Sequence, residues 1–175
     1  MTHGRPAGLG FAIGCALGCL THTIWAALGV AAIVATSDVA FGLLKFAGAA
    51  YLLYLGIRAL RSRGATLDIA PTESSTRFLV RGFIANAVNP KVALFFFAFL
   101  PQFVDPQRPV GSQMMWLGLS FALLTLVVFL PLGYFSGTVG GWLRRRPGIS
   151  RWMDRLTGAL FIGLAIRLAL ARRTF

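Results

Sequence analysis

Apolar residues in this chain come in runs too long to be one face of a soluble helix. Residues 7–35 pass without a charged side chain, and further apolar runs cover 39–60, 82–104, 113–135 and 156–171. Because about 20 predominantly apolar residues cross a bilayer as a helix, the pattern predicts an all-α, polytopic membrane protein. It has five transmembrane helices within a single domain, residues 1–175. The first run exceeds the roughly 7 to 15 residues of a signal-peptide core and is read as a true span. Between the runs lie two hydrophilic segments, 61–81 and 137–155, both expected as cytoplasmic loops.

Composition agrees: 57% of the residues are hydrophobic and 13% charged, with a mean hydropathy of +0.73. The formal net charge of +12 would suggest nucleic acid in a soluble protein. Here the basic residues gather between apolar runs, with no basic stripe interleaved with aromatics, so the charge reads as topology and contact with anionic headgroups of the lipid bilayer. With the N-terminus inside, Arg5, Arg61, Arg63, Arg77 and Arg81 fall on the cytoplasmic side, as do the arginines of 137–155. Arg108, Arg172 and Arg173 fall outside.

The third run carries the chemistry. Asn86, Asn89, Pro90 and Lys91 lie inside an otherwise apolar segment. A proline in a helix interior has no N–H to give and crowds the carbonyl four residues back, so Pro90 is expected to bend this span and free the Asn86 carbonyl. Such backbone is tolerated at membrane depth only beside protein or a wet cavity. Asn86 and Asn89, three apart, are expected on nearly one helix face. Lys91 adds a charge that costs about 2.5 to 3.5 kcal/mol at the bilayer centre, which marks a substrate pathway.

In the first run Gly10, Gly14 and Gly18 recur every fourth residue, a strip along which another helix can pack closely. Cys15, Cys19 and His22 share the adjoining face. Three ligands without a fourth make a poor metal site, and two cysteines in one apolar run suggest no disulfide framework. His22 is either a proton-relay or substrate-contact imidazole or a neutral, hydrogen-bonded packing residue. Lys45, two turns inside the second run, either snorkels outward or lines the pathway. Phe95, Phe96, Phe97 and Phe99 are expected to pack rather than gate. No nucleophile with a neighbouring base occurs, so an enzyme is not indicated.

The stretch GFIANAVNPKVALFFFAFLPQFVDP (82–106) is similar to the Asn-x-x-Asn-Pro-Lys helix and the Leu-Pro-Gln-Phe-Val-Asp-Pro end of the amino-acid exporters named for lysine and homoserine/threonine efflux, the LysE/RhtB type. LLKFAGAAYLLYLGIRALRS (43–62) and GALFIGLAIRLAL (158–170) resemble two further helices of that family, and the resemblance covers nearly the whole chain. It implies a multi-pass secondary transporter of the bacterial plasma membrane that exports amino acids or derivatives, coupled to protons, with no cofactor. In that reading Lys91 meets the substrate carboxylate, while Asn86, Asn89 and the carbonyl freed by Pro90 meet its ammonium. His22 is a further substrate contact.

Two departures from the family stand out. Its members usually have six helices in two inverted halves, the first helix bearing a Pro-Gly-Pro break, and HGRPAGLGFAIGCALG begins where their second helix would. A late coding start is the preferred account. A fragment, or a homodimer in which a second protomer supplies the counterpart, are the others. Cys19 stands where the family commonly has an aspartate, which weakens proton coupling at that position and lysine-like substrates. The rival readings are a non-transporting or truncated membrane module and, ranked lower, efflux of metal or organic cations.

Overall fold

The computed structural model describes residues 4–36, 38–62, 75–105, 107–144 and 146–170. The expectations for Ser37, for 63–74 with its acidic and proline residues, and for Arg172 and Arg173 lie outside those residues. Among the described residues all regular structure is helical: α1 (Gly4–Thr36), α2 (Asp38–Leu60), α3 (Ser75–Ala87), α4 (Pro90–Leu94), α5 (Val110–Tyr134), α6 (Ser136–Arg144) and α7 (Pro147–Leu170).

Three of them, α1, α2 and α5, are long and apolar enough to cross a membrane, and α3 with α4 makes a fourth when that bent pair is taken as one span. The last helix is long enough to cross, but Arg151, Asp154, Arg155 and Arg167 interrupt it. Helix also reaches into both segments expected as loops. α3 begins at Ser75, α6 occupies 136–144, and α7 begins at Pro147 rather than at 156. Proline at the first helical position lacks only an N–H that would be unpaired there anyway, so Pro147 starts a helix where composition alone suggested a loop.

Small residues decide which helices meet. Gly10 lies against Ser75, Gly14 against the backbone of Leu79 and Phe83, and Gly18 against Asn86, so α1 and α3 run parallel in close contact along the glycine strip. Gly82 returns the arrangement, its Cα facing the Phe11 backbone. A side chain at Gly14 or Gly82 would have to occupy the space of a backbone carbonyl. In lipid, where apolar surface gains nothing by meeting apolar surface, such close packing is a main source of helix association.

On its other side α1 meets α5 in the antiparallel sense, Gly8 against Gly133 and Thr23 against Gly118. α2 and α7 form a second antiparallel pair, with Gly56 against Gly158 and Gly48 against Leu168. The two groups join where Gly48 meets Ala98 in the segment after α4. This places the N-terminal ends of α1, α3 and α7 and the C-terminal ends of α2 and α5 on one side. Arg58, Arg61, Arg77, Arg81, Arg151 and Arg155, all exposed, share that side.

After α4 the chain widens into a π-helical turn, Phe95–Phe99, then tightens into a 3-10 turn, Leu100–Phe103. Pro101 explains the change: it has no N–H for the Phe97 carbonyl, and its ring would crowd that carbonyl in a regular helix. Gln102 Nε2 donates to the Phe99 carbonyl at 3.2 Å. The widened turn turns Phe96 fully into the core, edge-on to Phe121 with ring centroids 5.2 Å apart. Beyond it, Gln113 closes the turn into α5. Its Oε1 accepts from the Asp105 N–H at 2.9 Å and its Nε2 donates to the Asp105 carbonyl at 2.8 Å.

Candidate functional site

At Pro90 the third apolar run breaks, and α3 and the segment 90–103 meet at 49°. Asn89 leaves the helix with φ −77° and ψ 109° and caps α4, its side-chain oxygen accepting from the Lys91 N–H at 3.0 Å. Capping by a short polar side chain just before a proline at N1 is the local arrangement the Asn-Pro pair favours. The same break corrects one expectation: Asn86 and Asn89 do not share a face, because one stays in α3 and the other becomes a cap.

The Asn86 carbonyl, which Pro90 deprives of its helical donor, is not free. It accepts from the Asn89 N–H at 2.9 Å and from His22 Nε2 at 2.8 Å. A carbonyl can only accept, so Nε2 carries the proton and the neutral imidazole keeps Nδ1 as its acceptor. The expectation that this carbonyl meets a substrate ammonium is thereby corrected: a side chain from another helix has taken the position. His22 is 5% exposed and its ring lies 5.8 Å from that of Phe96.

Asn86 answers in the opposite direction. Its Nδ2 donates to the Cys15 carbonyl and to Cys19 Sγ, the latter at 3.1 Å. Cys19 Sγ is also 3.7 Å from Thr125 Oγ1 on α5. Thr125 spends its own proton on the Phe121 carbonyl at 2.8 Å, so Cys19 is the donor in that contact. One polar knot thus ties α1, α3 and α5 at the depth of the break. Within it Asn86 Oδ1 is buried and has no hydrogen-bond partner among the described residues.

Lys91 stands apart from the knot. It is half-buried and its ammonium lies over the ring of Phe161 on α7, 4.3 Å from the centroid. The break therefore separates its polar residues: Asn86 turns to α1, and Lys91 turns to α7. Lys45 belongs to neither group. Its Nζ donates to the Ala169 carbonyl at 3.4 Å, near the end of α7, and lies 4.7 Å from the Phe46 ring centroid. No three His, Cys, Asp or Glu side chains among the described residues are placed to hold a metal ion.

Sequence reading passed over three participants. Thr125 and Phe161 carried no signal beyond composition, since their roles come from other helices. Asp154 did carry one: with Pro147 read as a helix start, it lies two turns into α7, where its Oδ2 is buried without a hydrogen-bond partner among the described residues.

Comparison with known proteins gives a consistent result. The family model described as LysE type translocator matches residues 1–172. A membrane protein of unassigned function from Vibrio cholerae is 34% identical over 175 residues, covering 98% of this chain and 84% of the relative. The homoserine/homoserine lactone efflux protein of Salmonella typhimurium is 31% identical, again over 98% of this chain and 84% of its own length. The leucine efflux protein of an Enterobacter species is 30% identical over 95% of this chain and 81% of the relative. No solved structure matches the chain.

Proposed function

Because the chain belongs to the LysE type translocator family, a family of multi-pass bacterial plasma-membrane transporters and not of enzymes, we propose that it exports amino acids or close derivatives from the cytoplasm. Relatives named for homoserine and leucine efflux support an amino-acid substrate. The observation that carries the site is Lys91: an ammonium kept half-buried beside a helix break, with an aromatic ring as its neighbour.

The substrate carboxylate pairs with Lys91 in the seam between α4 and α7. The α4 N-terminus is unsuited to that task, because Asn89 already caps it. A carboxylate meets the ammonium as a charge-assisted hydrogen bond and displaces the weaker contact with Phe161. Asn86 Oδ1, buried and lacking a donor among the described residues, is the acceptor best suited to the substrate ammonium once α3 and α4 move about the break. His22 and Asn89 hold the break itself.

Transport proceeds by alternating access, with the α2–α7 pair rocking against the α1–α3–α5 group around the bent helix. Five crossings with the N-terminus inside place the arginine-rich side in the cytoplasm. Inward proton movement drives the export. Neutral His22, with Nδ1 as acceptor, is the group that carries the proton.

Counterflow of labelled homoserine or leucine into vesicles holding the purified chain tests the reading. Wild-type protein should exchange substrate, and Lys91→Ala should abolish exchange while inserting normally. Unchanged exchange in that variant would remove Lys91 from the site. Absence of exchange by the wild-type chain would favour a non-transporting module.

A further inference from the structure

The ends of α1, α3 and α5 meet on the arginine-rich side of the molecule, where Ser75 Oγ donates to the Pro6 carbonyl at 2.8 Å and Arg5 reaches the Tyr134 hydroxyl at 3.2 Å. α3 and α5 both pack on α1, and between them opens a groove of about 450 Å³. Its floor is backbone, because Gly8 and Gly133 bring α1 and α5 into contact without an intervening side chain. Phe11, Phe78, Phe129 and Leu132 form its walls, and Ser136 is the one hydroxyl lining it. The volume falls in the range of about 300 to 1,000 Å³ found for small-molecule sites.

Charge at the groove has one sign. The Arg5 guanidinium stacks on Tyr134, 4.5 Å from the ring centroid and one residue beyond the groove floor. The Arg81 guanidinium folds back over Phe78, 5.7 Å from the centroid, toward the same end of α3. Both stems lie along apolar rings with their charged heads turned toward the helix ends, as snorkelling side chains do. The acids Asp105 and Asp154 lie on other elements. A greasy slot open to the bilayer, flanked by two guanidinium groups, is complementary to one molecule with an acyl chain and a phosphate.

We propose that this groove binds a single anionic phospholipid of the leaflet on the arginine-rich side, an acyl chain lying between Phe78 and Phe129 and the phosphate held by Arg5 and Arg81. The site shares no residue with Lys91 or with the knot at the break, and it stands whether or not the transport reading does.

Titration of the purified full chain in neutral detergent with phosphatidylglycerol and, separately, phosphatidylcholine, read by native mass spectrometry, tests it. One phosphatidylglycerol should be retained per chain in preference to phosphatidylcholine. Arg5→Gln with Arg81→Gln should weaken that retention by roughly fivefold per arginine, from about 1 kcal/mol for each basic residue near a lipid headgroup. Ala7→Trp, which fills the groove, should abolish it. Circular dichroism should show unchanged helix content in each variant, and Arg5→Gln alone, at an exposed position, keeps the test readable if the double variant does not fold. Equal retention of the two lipids, or undiminished phosphatidylglycerol binding in the arginine variants, overturns the proposal. Undiminished binding in Ala7→Trp places the lipid elsewhere and overturns it too. Saturation of the arginines by inorganic phosphate alone, at equal concentration, would reassign the site to a free anion, and a second copy of the chain found in the groove by cross-linking would exclude lipid from it.

Discussion

His22 Nε2 on α1 donates to the backbone carbonyl of Asn86 on α3 at 2.8 Å, while the Asn86 side chain donates back to the Cys15 carbonyl and the Cys19 thiol of α1. The hydrogen bond Pro90 takes away is thus replaced by one from a neighbouring helix. Within lipid such replacement is what lets a broken helix persist, since an unpaired carbonyl has no water to turn to.

His22→Ala should therefore destabilise the α1–α3 contact by about 1 to 2 kcal/mol. His22→Gln, whose amide can still donate, should recover much of that loss. Unfolding in a mixed-micelle denaturant series checks both. Equal stability of the alanine variant and wild type would mean that the Asn89 N–H alone satisfies the carbonyl. Recovery of stability but not of transport by glutamine would identify the imidazole's second nitrogen as the part that transport uses.

Pro90→Ala should separate stability from activity. Restoring an N–H at position 90 lets the helix run on, and an interior proline costs a helix about 3 kcal/mol or more, so the variant is expected to be at least as stable as wild type. Loss of the bend should nonetheless abolish counterflow. A variant that is straight by spin-label distances yet fully active would show the break to be dispensable.

Substitution at glycines should divide by what faces them. Gly14→Val and Gly82→Val each drive a side chain into facing backbone and should cost about 1 to 3 kcal/mol as overpacking does. Gly163→Ala, with nothing near the added carbon, should stabilise α7 by about 0.5 to 1 kcal/mol. Thermal midpoints in detergent read both.

Phe161→Leu bears on Lys91. The ring and the ammonium attract each other by roughly 0.5 to 2 kcal/mol, and a substrate carboxylate competes with that contact. Removing the ring should lower the half-saturating substrate concentration several-fold while leaving protein yield unchanged. An increase would mean that the ring holds Lys91 in its binding position instead.

Much of the fold was legible because lipid imposes simple demands on sequence. Uncharged runs marked the helices, Pro90 marked the break, and the glycine strip at 10, 14 and 18 marked a close-packed face. Less was legible at 137–155, where α6 and the first turns of α7 look like loop by composition. The arginines there are compatible with a helix that begins outside the apolar layer, and only Pro147 hinted at its start.

Taken by itself, the sequence determined that the chain is helical, lies in a membrane, bends at Asn89-Pro90 and carries a costly cation beside that bend. Each of these follows from local chemistry, a missing N–H or a charge in an apolar run, that no partner helix can alter. Partners had to come from the tertiary structure: that His22 takes the carbonyl Pro90 frees, that Asn86 and Asn89 part company, that Lys91 faces Phe161, and that arginines flank an apolar groove. Those are contacts between residues as many as 71 positions apart, set by which helices approach one another, and one helix alone holds no record of its neighbours.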